Sequence, residues 1–264
     1  MSKHPQSQPH PLLCVQQSGP VLKITLDDPR RRNPQVPSLW SALAQVGAGL
    51  DRSVRAVVVR AEGPSFSAGL DRAMLTPSGA PGEPSILALA AGAPGALEDA
   101  IEQFQRGFSI WAQVPAITIA AVQGHAIGAG FQLALACDLR VVSDDVAFAM
   151  REASLGLVPD LAGTSTLVRC VGYPRALEIC ATGRFVGAQE AVAIGLATVA
   201  VPGEQLDATA RELADAILVA PPAAVRELKP LLRNAVDACA ADQLRAERQA
   251  QARLLAAMVT GSGK

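Results

Sequence analysis

Glu152 and Asp160 flank a Gly-x-x-Pro turn in FAMREASLGLVPDLAGTSTL, residues 148–167, where few other side chains are polar. An apolar setting solvates a carboxylate poorly, so the pKa rises and the group can take or release a proton near neutral pH. Structural uses compete: Glu152 can pair with Arg151 or Arg169, and Asp160 can cap a helix starting near Leu161. Two glycine-rich stretches lie upstream, GPSFSAGLD at 63–71 and GHAIGAGFQLALACD at 124–138. Gly69 can turn the Leu70 amide outward. Gly128-Ala129-Gly130 opens a helix whose first amides are free and sit at the positive end of its dipole. Two outward amides from separate segments make an oxyanion hole, worth about 3 kcal/mol per donor to a carbonyl oxygen gaining charge. Each motif taken alone also reads as an ordinary glycine turn.

Gln132 is the polar side chain in the first turns of that helix. A carboxamide cannot usefully exchange a proton at neutral pH, but it can hold a water. His125 lies in the preceding turn with no acid beside it, so it is expected to pack and not to act as a base. A dinucleotide fingerprint fails because Phe131, Gln132 and Leu133 follow Gly130 with no third glycine. A P-loop fails for lack of Gly-Lys-Ser/Thr after the turn.

These segments need a frame. VLKITL (21–26), VRAVVVRA (54–61), PAITIAAV (115–122) and LRVVS (139–143) read as strands alternating with helical or loop stretches, the pattern of an α/β fold with buried sheets. Leu39, Leu43, Val46 and Leu50 have helical spacing. Residues 74–96 are rich in proline and glycine and read mostly as loop near a binding site, followed by a helix from about Ala96 to before Pro115. Beyond about 204 strand signals stop, and 221–240 and 242–259 read as long amphipathic helices.

The chain has 264 residues, half of them apolar, enough for a sizeable core. Its 23 basic and 24 acidic residues are interspersed, which argues against a nucleic-acid partner. No apolar run reaches the roughly 18 residues of a membrane span. The five cysteines, at 14, 137, 170, 180 and 239, form no CxxC pair and have no histidine cluster near them, so no metal site is expected. They read as reduced, packed thiols of a cytoplasmic protein. The polar, proline-rich residues 1–11 read as a disordered tail without the apolar stretch of a signal peptide.

Taken together, FSAGLD, AAVQGHAIGAGFQLALACDLRVVSDDVAF, EASLGLVPDLAGTSTL and ATGRFVGAQEAVAIGLATVAVP resemble the crotonase superfamily, the enoyl-CoA hydratase/isomerase family, in order over residues 20–256. ITLDDPRRRNP resembles the family's ITLNRPxxxNA turn, with Pro34 in place of alanine. The resemblance implies an α/β spiral of ββα units over 12–203 that holds the acyl-CoA site. A C-terminal helical region, 204–264, would serve oligomerisation or cap a pocket. It further implies homotrimers or dimers of trimers, acyl-CoA thioester substrates, and no separate cofactor, since coenzyme A is part of the substrate.

By position, the oxyanion amides are those of Leu70 and Ala129, Ala129 standing for the middle glycine of a GGG turn. CoA contacts fall to Arg30, Arg31, Ala68 and Asp71, substrate positioning to Gly128 and Gln132, and catalysis to Glu152 and Asp160. Hydratases of the family carry glutamates at the positions of both Gln132 and Glu152, whereas moving a double bond needs a single carboxylate base. The expectation is therefore an enoyl-CoA isomerase. The alternatives are a hydratase in which Glu152 works while Gln132 orients water, and a non-catalytic acyl-CoA-binding protein.

Overall fold

A computed structural model describes residues 6–261. In chain order the first unit runs β1 (Gln6–His10), β2 (Leu13–Ser18), β3 (Val21–Leu26), β4 (Pro34–Gln35), α1 (Pro37–Ala48), β5 (Ala56–Ala61) and β6 (Gly69–Leu70). Then follow α2 (Ile86–Ala90), α3 (Ala96–Gln113), β7 (Ile117–Val122), β8 (His125–Ile127), α4 (Ala129–Ala136), β9 (Leu139–Ser143) and β10 (Ala147–Ala149). After these come α5 (Gly163–Val171), α6 (Tyr173–Thr182), β11 (Val186–Gly187), α7 (Ala188–Ala193), β12 (Val199–Val201) and α8 (Leu206–Val219).

The main sheet has seven strands in the order β1-β2-β3-β5-β7-β9-β12. Its first three strands are antiparallel and the rest pair in parallel. Parallel strands are covered on both faces, which is why β5 and β7 read as near-continuous apolar runs. A three-stranded sheet, β11-β10-β8, and the β4-β6 pair stand beside it. The core between these layers includes Phe66, Phe108, Trp111, Phe131 and Phe148, all at most 1% exposed. Segments 63–71 and 123–129 leave the C-terminal ends of adjacent parallel strands β5 and β7. Loops at neighbouring strand ends are therefore brought together by the register of the sheet itself.

The chain divides between Ala214 and Asp215 into two compact units. The second contains the end of α8 together with α9 (Pro222–Asn234) and α10 (Ala240–Gly261). Within it Arg253 pairs with Glu227 at 2.7 Å and Gln243 donates to the Leu231 carbonyl at 3.3 Å. The last strand ends at Val201, in agreement with the loss of strand signals near 204.

Two expectations need correction. Residues 6–10 form a strand where a disordered tail is expected, because an edge strand tolerates polar side chains and Pro9 as long as one side pairs, here with β2. Residues 1–5 of that expected tail lie outside the described residues. The 74–96 segment is mostly loop, as expected, and includes the short helix α2, with Ser85 capping it by accepting from the Ala88 amide at 3.2 Å. Among the described residues none of the five cysteines forms a disulfide, and Cys239 is exposed and not packed.

Candidate active site

The two glycine-rich segments meet. Gly69 has φ +87°, and a Cβ there would collide with the Ile127 carbonyl oxygen while lying 3.5 Å from the Ala129 nitrogen. Asp71 donates its amide to the Gln35 carbonyl at 2.8 Å across the parallel β4-β6 pair. Neighbouring amides in a strand point to opposite sides, so the Leu70 N–H faces away from β4. Ala129 is the first residue of α4, and its N-cap Gly128 adopts φ +53° and ψ −117°. The Gly128 amide is tied to the Ala149 carbonyl at 2.9 Å, which anchors the helix start to β10. The far end of α4 is held by buried Arg140, which donates to the carbonyls of Ala134 and Cys137, where the helix dipole favours a cation. Asp138 accepts from the Thr118 amide and hydroxyl, both at 2.9 Å, and so locks the same end to β7.

Leu70, Ala129, Gln132, Glu152 and Asp160 all line one cavity of about 860 Å³. That is ample for a small-molecule site, typically about 300–1,000 Å³. Its apolar wall includes Leu75, Ile86 and Leu161 together with Leu97, Ile101 and Phe104, which recur on one face of α3.

Gln132 is 1% exposed and its carboxamide is fully directed. Oε1 accepts from the Leu161 amide at 2.8 Å and more weakly from the Gly163 amide at 3.4 Å. Those two donors fix which end is oxygen, so the nitrogen must face Glu152, where it donates to Oε1 at 2.8 Å. Glu152 Oε2 is buried with no hydrogen-bond partner. Gly128 leaves room for this carboxyl, since a Cβ there would sit 3.3 Å from Glu152 Oε1. Burial pushes the Glu152 pKa up, and the nearby Asp160 adds to the rise, while hydrogen bonds from its own amide and from Gln132 pull it back. Asp160 is likewise raised by burial. Gln105 of α3 donates to the Asp160 carbonyl at 2.7 Å, holding that turn against the apolar wall.

The structural uses weighed for the two acids do not occur. Arg151 donates instead to the Gly183 carbonyl at 3.0 Å and stacks over Phe185, and among the described residues Glu152 takes part in no ion pair. Asp160 does not cap α5, because the N-cap is Ala162 in a left-handed conformation and the helix begins at Gly163. His125 packs edge-on against Phe185 at 5.9 Å.

Arg31, Ala68 and Asp71 also line the cavity, and Arg31 bridges Asp28 at 2.7 Å and Asp71 at 2.9 Å. Arg30 shares that turn, is exposed, and is not among the lining residues. Arg32 and Arg72 line the cavity and were not anticipated from the sequence, where nothing but their neighbourhood to the motifs marks them. Among the described residues no cluster of three or more His, Cys, Asp or Glu could hold a metal ion. No helix among them is long and apolar enough to cross a membrane.

A family model described as enoyl-CoA hydratase/isomerase matches residues 16–260. The chain belongs to the enoyl-CoA hydratase/isomerase family. A Thermobifida fusca protein, provisionally named an enoyl-CoA hydratase and crystallised with acetoacetyl-CoA, superposes with a TM-score of 0.89 at 44% identity, over 93% of this chain and 95% of that one. A Thermus thermophilus relative, also provisionally named an enoyl-CoA hydratase, is 36% identical over 219 residues, 82% of this chain and 81% of its own length. The carnitinyl-CoA dehydratase of Escherichia coli is 32% identical over 225 residues, 84% and 80% of the two chains. The fold is the crotonase fold of this family, mixed α/β with a central sheet and a C-terminal helical region.

One prediction concerns the turn that brings the two amides together. Gly69→Ala places a side chain at φ +87° against the Ile127 carbonyl and is expected to cost about 1–3 kcal/mol of stability. Urea unfolding at fixed pH checks this, and an unchanged midpoint would show that the turn relaxes freely.

Proposed function

We propose that this enzyme moves a carbon–carbon double bond within an enoyl-CoA. The Leu70 and Ala129 amides hold the thioester oxygen, and the apolar wall on α3 receives the acyl chain. Glu152, through the free Oε2, removes a proton from the carbon beside the thioester; the electron pair passes into a dienolate held by the two amides. A proton then returns at the far carbon of the conjugated system, so the double bond shifts and no atom is gained. Asp160 shares this transfer from the facing turn. Arg30, Arg31, Ala68 and Asp71 are assigned to the coenzyme A portion, Arg31 and Asp71 as a pair and Arg30 most peripherally. Gly128 and Gln132 keep the carboxyl in place beside the substrate.

The observation that carries this reading is the state of Gln132. Its one acceptor is consumed by the Leu161 and Gly163 amides and its nitrogen faces Glu152, so it offers no acceptor to a water and no exchangeable acid. Hydration with two acids therefore has only one in its usual place. A second reading, a hydratase working through Glu152, is favoured by the names of the relatives, hydratases and a carnitinyl-CoA dehydratase. A homotrimer or dimer of trimers would give cover to Leu155, Leu157 and Val158, apolar side chains of the cavity lining that are 44–73% exposed in one chain.

Incubation with 3-enoyl-CoA and, separately, 2-enoyl-CoA of several chain lengths tests the reading by ultraviolet absorbance and product mass. Isomerisation without mass gain is expected, with turnover about 100-fold lower in Asp160→Asn. Water addition at a rate matching or exceeding isomerisation would replace this reading with the second.

A further inference from the structure

Behind the two amides lies a buried polar chain that the reaction itself does not use. Ser67, 0% exposed, donates its hydroxyl hydrogen to the Asn33 carbonyl at 2.7 Å and accepts from Gln35 Nε2 and from the Gly69 amide, both at 3.1 Å. A hydroxyl has one hydrogen and two lone pairs, and all three are used here. The Ser67 backbone is stitched to the opposite segment as well: its amide donates to the His125 carbonyl and its carbonyl accepts from the Ile127 amide, each at 3.0 Å. The first turn of α4 rests on the same residue, for a Cβ on Gly130 would lie 2.7 Å from Ser67 Cβ.

Gln35, also 0% exposed, cannot flip. Trp40 Nε1 is only a donor and reaches Gln35 Oε1 at 2.8 Å, so the amide nitrogen of Gln35 must be the end that meets Ser67. Every link from Trp40, in the cavity wall, through Gln35 and Ser67 to the Gly69 amide thus has a fixed direction. The peptide that follows Gly69 carries the Leu70 N–H.

We propose that Ser67 is the positioning residue of the oxyanion hole: its hydroxyl, oriented by Gln35, fixes the Gly69 peptide so that the Leu70 and Ala129 amides converge on one oxygen. This rests on the reading of those amides as the thioester site, and it holds whether the bond is moved or hydrated.

The test uses the full-length protein and a saturated acyl-CoA labelled with ¹³C at the thioester carbonyl, which binds but does not react. Bound to the wild type, its infrared carbonyl band is expected below the solution frequency, as polarisation by two donors requires. In Ser67→Ala the band returns toward the solution value and kcat falls roughly 10- to 100-fold. The Kd of a CoA thioether, which has no carbonyl, stays within twofold. Ser67→Cys, which keeps a weaker donor and acceptor, recovers part of both effects. If Ser67→Ala does not fold, Gln35→Met decides, with a partial band shift and a several-fold lower kcat expected. A wild-type band shift kept intact in the folded variants overturns the positioning role. Thioether binding lost along with thermal stability, at an unchanged band, reduces Ser67 to a structural part and overturns it too. A wild-type band that does not move on binding overturns the oxyanion-hole reading, and this proposal with it.

Discussion

Glu152→Gln is expected to lower turnover about 1,000-fold and at the same time to raise the stability of the fold at neutral pH. The loss follows from removing the proton-transfer group, an effect of about 10²–10⁴ in general acid–base catalysis. The gain follows from the cost of holding a carboxylate whose second oxygen is buried without a partner. Because the pKa of Glu152 is raised in the folded protein, the folded state binds more protons than the unfolded state between the ordinary carboxylate value and the raised one. Wild-type stability is therefore fullest below the ordinary value and declines as pH rises through the raised one. The variant has no such decline, so its advantage, on the order of 1 kcal/mol, is present at pH 7 and vanishes in acid. Thermal unfolding across pH, alongside turnover, checks both halves. An inactive variant whose stability advantage over the wild type is no larger at pH 7 than at pH 4 would show that Glu152 is well solvated.

Gln132→Glu changes the reaction, not merely its rate. One carboxylate oxygen can still accept from the Leu161 and Gly163 amides, but the other then faces Glu152 Oε1 where an N–H donor stood. Two carboxyls in hydrogen-bond contact cannot both ionise, so they share a proton and the raised pKa of Glu152 climbs further. The acid limb of the pH profile of kcat/KM should move to higher pH. The site also gains a second proton-transfer group on the side where water would stand, and water addition to 2-enoyl-CoA is expected to increase about 100-fold. Product mass after incubation reads the second effect directly. A variant with the wild-type pH limb and no water addition would mean that Gln132 does not govern Glu152.

The segments that build the site were legible because each announces itself locally. The β-branched runs before 63–71 and 124–138 gave strands, and glycines after strands gave turns; two such turns meet because β5 and β7 are neighbours in parallel register. Glu152 and Asp160 stood out as acids in an apolar frame, and the structure keeps both in that frame with raised pKa values. What could not be read were pairings between distant residues. Nothing local says that the carboxamide of Gln132 reaches the Leu161 amide, or that Gln35 meets Ser67. Asp160 has the residue type of a helix cap, but Ala162 takes a left-handed turn that delays the helix, and no propensity marks an alanine for that. The polar residues 6–10 carry no strand signal of their own and are ordered by β2.

Strands enter the main sheet in chain order, β1-β2-β3-β5-β7-β9-β12, each crossover connection setting the next strand at the growing edge. A nascent polypeptide leaving the ribosome can thus add each strand to an edge that already exists, and none must wait for a later one to come between. The residues proposed for proton transfer, the oxyanion hole and coenzyme A lie between Arg30 and Asp160, and the cavity lining reaches Leu161 and Phe185. The catalytic apparatus is encoded in the first two thirds of the message, so its parts can find one another while the ribosome is still translating the helices of the second unit.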